Sequence, residues 1–450
     1  MRVLFTTVPT KAPGFHRTAL AWALRAAGHE VCLANRPNLV EDITRTGLTA
    51  VPVGTPFHPD DYLADSERQL AEAGGEGDYP DPEQLMHMDE LRPELLDYTY
   101  MQGVFTTMTT LVFRPFCPTE VVDELVSFAR EWRPDLVLWD PFVFAGPVVA
   151  KAVGAAHARL LYGLDLIGHM REHYLDAVRK RPAELREDPV EEWLGPVLDR
   201  YDTAFSEDVV TGQWTIDPVP TSMRLPVDLP YLPMRHIPYN GRAVIPHWLT
   251  EPPERPRVCL TLGLPHPEVT GGDRLPVEPV LEAMAGVDAE VIAVSETGRL
   301  AGVRAVPDNV RLVDHVPLNE LLPSCSAIVH QGDVWTLHTA FAHGVPQVVL
   351  PGDLWDIPMR ADQVQEAGVG LRPLDVAGVT AGEVREMVVR VLTDPAFARR
   401  AAALRDEMVA TPAPRDLVPV LEKLTAEHRG GGRPHGDRGR RKGTTCESSS

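Results

Sequence analysis

Cysteine is scarce in this chain of 450 residues: Cys32, Cys117, Cys259, Cys325 and Cys446 are scattered, odd in number and never within a C-x-x-C pair. That excludes a disulfide framework and a zinc ribbon and fits a reducing compartment such as the cytoplasm. No apolar run approaches the roughly 18 residues that a membrane span needs, and the opening MRVLFTTVPTKAPG has too short an apolar stretch for a secretory signal. Basic residues are also short, 43 against 64 acidic ones, for a net charge of −21. Such a charge excludes nucleic acid or an anionic membrane surface as the main partner. There is no Asp-x-Asp triplet anywhere.

What is present is a globular composition, 44% hydrophobic, long enough at about 150 residues per domain for two or three domains. The chain opens as a βαβ unit. A β-rich run at Arg2 to Phe5 precedes a loop with Pro9, Pro13 and Gly14, a helix over 16 to 27 with Leu20, Ala23, Leu24 and Ala27 on one face, a stop at Gly28, and a strand at Glu30 to Ala34. Residues 57 to 100 lack apolar periodicity, and Asp60 to Asp97 carries 13 acids and 2 bases. This segment reads as a solvated loop or lid, or alternatively as part of a pocket rim.

From Pro118 a helix leads into a strand at Asp135 to Trp139, followed by Asp140; a helix over 145 to 156 and a strand at Ala158 to Tyr162 come next. Ligands of open α/β sheets bind outside the carboxyl ends of strands, which makes Asp140 a candidate for chemistry. After a Pro-rich linker over 217 to 255, a second α/β unit has strands at Arg257 to Leu262, Glu290 to Val294, Val310 to Leu312, Ala327 to His330 and Gln347 to Leu350. The expected architecture is two doubly wound, Rossmann-like α/β domains, 1–216 and 256–428, facing each other across a cleft, with a basic, disordered tail at 429–450.

In the second unit, His330-Gln331-Gly332 ends a strand and precedes a helix. Unpaired N–H groups and the helix dipole converge at such a point, as a diphosphate requires. The surrounding string VPDNVRLVDHVPLNELLPSCSAIVHQGDVWTLHTAFAHGVPQVVLPGDLWDIPMRADQVQEAGVG, residues 306 to 370, resembles the donor-binding signature of inverting nucleotide-sugar glycosyltransferases with the GT-B fold. LAWALRAAGHEV (20 to 31), EWRPDLVLWDP (131 to 141), GQWTIDPVP (212 to 220) and RVCLTLG (257 to 263) extend the likeness to bacterial enzymes that attach deoxysugars to macrolide and anthracycline aglycones.

The resemblance implies transfer of a deoxysugar from a nucleoside diphosphate donor of the dTDP type to a hydroxyl of a polyketide aglycone, with no metal or other cofactor. It implies a nucleobase near His315-Val316-Pro317, a diphosphate near His330, Gly332 and Thr336, and sugar hydroxyls on Asp356. It also implies a histidine base near the first strand, assisted by Asp140, and, as further partners, a helper protein resembling an inactive haem monooxygenase and a second copy of the chain.

Several positions depart from the family pattern. Asp333 and Trp335 stand where glycines of the phosphate loop are expected, Leu264, Pro265 and His266 replace hydroxyl side chains, and Ile357 stands where many relatives have glutamine. Pro13 occupies the position of the base, and His16, three residues on, is the substitute candidate. An aspartate beside a diphosphate is repulsive. These departures support a second reading, a non-catalytic homologue acting as partner of another transferase.

Overall fold

The computed structural model describes residues 1–9, 15–73, 88–241, 243–261, 277–294, 306–352 and 355–429. The tail from 430, the segment 74–87, Pro13 and Leu264 to His266 lie outside the described residues. Strands β1 (Arg2–Thr6), β2 (Glu30–Asn35), β3 (Thr49–Pro52), β4 (Leu136–Trp139), β5 (Ala156–Leu160), β6 (Thr215–Asp217) and β7 (Tyr231–Pro233) form a first sheet in the order β3-β2-β1-β4-β5-β6-β7. Strands β8 (Arg257–Thr261), β9 (Glu290–Val294), β10 (Val310–Val313), β11 (Ala327–His330), β12 (Gln347–Val349) and β13 (Gly370–Leu371) form a second, in the order β10-β9-β8-β11-β12-β13. All of their pairings are parallel.

Helices cover both faces of each sheet, so the central strands are buried end to end: Leu136 to Trp139 and Ala327 to His330 have no exposed residue. The chain order reverses between β1 and β4 in the first sheet and between β8 and β11 in the second. These are the two topological switch points, where open α/β sheets hold ligands. Asp140 follows β4 and His330 ends β11, so each of the two candidates sits at one of them.

Four expectations need correction. The strand expected at Ala158 to Tyr162 runs from Ala156 to Leu160, because Gly154, with φ of 70°, ends the preceding helix at Val153. Tyr162 is thereby carried past the strand into the cleft. The Pro-rich stretch expected to begin the linker at 217 includes β7, an edge strand that tolerates Pro233 where a central strand would not.

The acidic segment is not simply a loop: Pro59–Ala73 is a helix, and another, Tyr98–Met108, follows directly after Asp97. Tyr62 holds the first of them down by donating from its hydroxyl to the Leu111 carbonyl (2.8 Å) and by packing with Phe57 and Phe116. Finally, the helix Pro414–His428, assigned to the second domain by its place in the chain, returns to the first. Its Leu417, Val418 and Leu421 join Leu20, Leu24 and Val31 in one core.

Burial of that apolar face ties the end of the chain to its beginning. Leu421 is fully buried. We expect Leu421→Ala to destabilise the first domain by about 2–5 kcal/mol, measured by urea unfolding. A loss under about 0.5 kcal/mol would show that this helix does not dock there.

Candidate active site

At the first switch point the main-chain N–H of Asp140 continues the sheet by donating to the Thr6 carbonyl at 3.1 Å. The Asp140 carboxylate is completely buried and accepts the Phe142 N–H at 3.1 Å. Its other partner is the Arg17 guanidinium, from the first turn of the helix Phe15–Ala26, which is itself buried. Burial pushes the Asp140 carboxyl up from its ordinary range and Arg17 opposes that shift. The helix carries His16 immediately before Arg17, but the His16 side chain lies outside the described residues. The expected histidine–aspartate pair thus falls outside the described residues; the partner seen for Asp140 is an arginine that sequence reasoning passed over.

At the second switch point His330 is buried, and both of its ring nitrogens are engaged. Nδ1 accepts the Gly332 N–H at 3.1 Å, so Nε2 carries the proton and donates to Gln347 Oε1 at 2.7 Å. Burial lowers the pKa of this imidazole to about 4, which keeps it neutral. Gly332 has φ of 86°, and a Cβ there would meet Ile357 Cγ2 at 2.9 Å, so only glycine fits the turn.

Asp333 is the N-cap of the helix Val334–His343 and accepts the N–H groups of Trp335 (3.1 Å) and Thr336 (3.0 Å). It thus supplies an internal anion to donors that a diphosphate would seek. Val316 is buried among Cys259, Ile328 and Leu322, some distance along the same domain.

Asp356 joins the two domains. It precedes the helix Ile357–Glu366, and one carboxylate oxygen accepts from Arg360 Nη2 at 2.7 Å, four residues on. The other oxygen accepts the N–H of Leu164, in the first domain, at 2.9 Å. A Cβ on Gly163 would lie 2.3 Å from that oxygen. Arg360 Nη1 also donates to the Gly332 carbonyl (2.7 Å), so one buried cation fastens both the phosphate-type loop and the acid.

Around this junction stand four aromatic rings, two from each domain. Phe142 meets Trp355 edge to face with centroids 4.8 Å apart, and Tyr162 lies 6.4 Å from Trp335. The structure therefore brings His330, Gly332, Thr336 and Asp356 into one wall of the cleft, with Asp140 on the facing domain. Arg17 and Trp355 carried no sequence signal; Arg360 did, through its i, i+4 spacing from Asp356. Among the described residues no group of three or more His, Cys, Asp or Glu side chains is placed to hold a metal ion.

Two paired buried sites stand at the switch points of two facing Rossmann-like domains, where open α/β sheets hold ligands. The family described as erythromycin biosynthesis protein CIII-like matches this chain with its N-terminal domain over residues 22–263 and its C-terminal domain over 278–424. The chain belongs to this family. It is a glycosyltransferase of the GT-B fold.

The chain is 51% identical over 449 residues to an aclacinomycin-T 2-deoxy-L-fucose transferase of Streptomyces galilaeus, covering 98% of this chain and 99% of that one. It is 44% identical to the 3-alpha-mycarosylerythronolide B desosaminyl transferase of Saccharopolyspora erythraea, covering 95% and 99%. Among solved structures it resembles the glycosyltransferase VinC in complex with dTDP, with a TM-score of 0.83, 38% identity and 95% and 100% coverage. The reading of the chain as a non-catalytic partner finds no support in these transferases.

Two outcomes follow from the buried charges. Arg17→Met leaves Asp140 unpaired and is expected to cost about 3–5 kcal/mol in urea unfolding, whereas adding Asp140→Leu recovers most of the loss. Equal losses in the single and double variants would contradict the pairing. His330 titrates near 6.5 when unfolded and near 4 when folded, so the unfolded state binds the extra proton between those values. Its contribution is complete above about pH 6.5 and is lost as pH falls towards 4, at up to roughly 1.4 kcal/mol per pH unit. His330→Gln flattens this slope, and an unchanged slope would place the titration elsewhere.

Proposed function

We propose that this glycosyltransferase moves a deoxysugar from dTDP to a hydroxyl of a polyketide aglycone in antibiotic biosynthesis, with inversion and without a metal. The observation that carries the reading is the array of buried His330, Gly332, Asp356 and Arg360 with half-buried Asp333 at the β8–β11 switch point, facing Asp140 across a cleft. The nucleotide and acceptor classes are those of the relatives: one neighbour is described with dTDP bound, and the transferases named above act on aclacinomycin and an erythronolide.

In this reading the base of the nucleotide lies against the segment containing Val316, and the diphosphate takes the helix N-terminus after Gly332 by displacing the Asp333 carboxylate from the N–H groups of Trp335 and Thr336. Neutral His330 acts through Gly332, whose N–H it holds, and shapes the turn. Asp356 orients the sugar, with Arg360 holding the acid in place. The leaving diphosphate is stabilised by the dipole of the helix Val334–His343. On the facing domain His16 is the candidate base for the acceptor hydroxyl, while Asp140, tied to Arg17, fixes the start of the helix that carries it. The resemblance alone adds a helper protein, a second copy of the chain and a cytoplasmic setting to this proposal.

Calorimetric titration with dTDP tests the donor side: saturable binding is expected, and no binding at millimolar nucleotide would contradict it. Asp333→Gly removes the competing charge at a cost of a few tenths of a kcal/mol in capping. It is expected to tighten dTDP binding about three- to ten-fold, in line with a charge at a helix N-terminus. Weaker binding would mean that the carboxylate assists the nucleotide instead of competing with it.

A further inference from the structure

The Pro-rich stretch that follows β7 is fastened to the second domain at several points. The main-chain N–H of Arg235 donates to the Pro412 carbonyl at 2.8 Å, and Arg235 Nη1 donates to the Val409 carbonyl at 2.9 Å, at the end of the helix Pro395–Ala410. Further on, Trp248 and Leu249 pack on the small core of Cys259, Ile328 and Leu322 that also holds Val316. The Trp248 ring carries two guanidinium groups, Arg257 from β8 and Arg311 from β10, at 5.6 and 4.9 Å from its centroid.

Between these anchors lies Asn240, whose Oδ1 accepts the main-chain N–H of Asn319 at 2.9 Å. Asn319 is the second residue of the short helix Leu318–Leu321, which opens directly after His315-Val316-Pro317. The first N–H groups of a helix have no partner within it, and Pro317, at the N-cap, brings no side-chain acceptor. Asn240 supplies that acceptor from 79 residues earlier in the chain.

The Asn319 side chain carries the link further. Its Oδ1 accepts from His343 Nε2 at 3.0 Å, in the last turn of the helix Val334–His343. That longer helix has caps of its own, Asp333 at the start and left-handed Gly344 at the end. The short helix at the base segment has none at its start except Asn240, so removal of this one acceptor is felt at 315–321 and spares the turn after His330.

We propose that Asn240 is a positioning residue for nucleotide binding: through Asn319 it holds the segment His315-Val316-Pro317 in the conformation that receives the base. The proposal rests on the donor placement argued above. It brings the interdomain linker, which carries none of the groups assigned to the diphosphate or the sugar, into donor recognition.

The test uses the full-length protein with Asn240→Ala and with Asn240→Asp, which keeps an acceptor in place. Ligand-observed NMR titrations read dTDP, thymidine and inorganic diphosphate separately, and hydrogen exchange reads residues 315–321 with and without dTDP. In the wild type dTDP is expected to slow exchange at 315–321. Asn240→Ala is expected to speed exchange there in the free protein about five- to ten-fold and to weaken dTDP and thymidine about three- to ten-fold, the scale of one lost cap in a segment that must be ordered to bind. Affinity for inorganic diphosphate is expected to stay unchanged, and Asn240→Asp to recover both nucleotide affinity and slow exchange.

Unchanged dTDP and thymidine affinities in Asn240→Ala would overturn the proposal. An equal loss for inorganic diphosphate would mean that the substitution loosens the whole domain, and failure of Asn240→Asp to recover binding would mean that the acceptor is not what matters; either result would overturn it too. If the wild type does not bind dTDP, or binds it without protection at 315–321, the donor placement itself fails, whatever Asn240 does to exchange in the free protein.

Discussion

The carboxylate of Asp356 is the interaction on which the arrangement of the site depends. It is buried, it belongs to the second domain, and one of its two oxygens accepts a main-chain N–H from the first. A buried carboxylate needs compensation for its lost hydration, and here that comes from Arg360 and Leu164 together. The absence of a side chain at Gly163 lets the two surfaces approach closely enough for this bond. Because Arg360 also holds the Gly332 carbonyl, the acid, the turn after His330 and the cleft edge of the first domain form one connected unit.

Each switch point follows the same physical plan. A buried acid at the carboxyl edge of the sheet is neutralised by an arginine from the first turns of a nearby helix: Arg17 for Asp140, Arg360 for Asp356. Neither acid is left as an isolated charge in a medium where that would be costly. The consequence for chemistry is that these acids orient neighbouring groups, and that protein donors must be exchanged for substrate hydroxyls when a ligand arrives. Asp333 extends the plan to the helix N-terminus, where an internal anion occupies donors that suit a diphosphate. Aromatic rings from both domains then meet across the cleft beside it.

The parts of this that the sequence made legible are those written in local patterns. Apolar runs ending in Asp140 and His330 marked two strand ends, and β9 and β11 fall where their runs are. The turn after His330 was readable from Gly332, whereas Arg360 was passed over although it stands four residues after Asp356. What escaped was non-local. Arg17 and Asp140 are 123 residues apart and Leu164 and Asp356 are 192 apart, and no periodicity reports such pairings. The return of the helix Pro414–His428 to the first core is of the same kind. β7 escaped because prolines mask an edge strand, and the position of Tyr162 because a left-handed Gly154 starts β5 two residues early. Asp333 was read as a repulsive substitution, whereas its local role is that of a helix cap.

The central claim is that the donor's diphosphate sits on the turn after His330 and its sugar on Asp356. A crystal structure of the protein with a dTDP-sugar bound tests this most directly. The account predicts the diphosphate within hydrogen-bonding distance of the Trp335 and Thr336 N–H groups, the Asp333 carboxylate displaced from them, and a sugar hydroxyl on Asp356. A nucleotide bound elsewhere, with Asp333 still capping its helix and Asp356 still held only by Arg360 and Leu164, would contradict it.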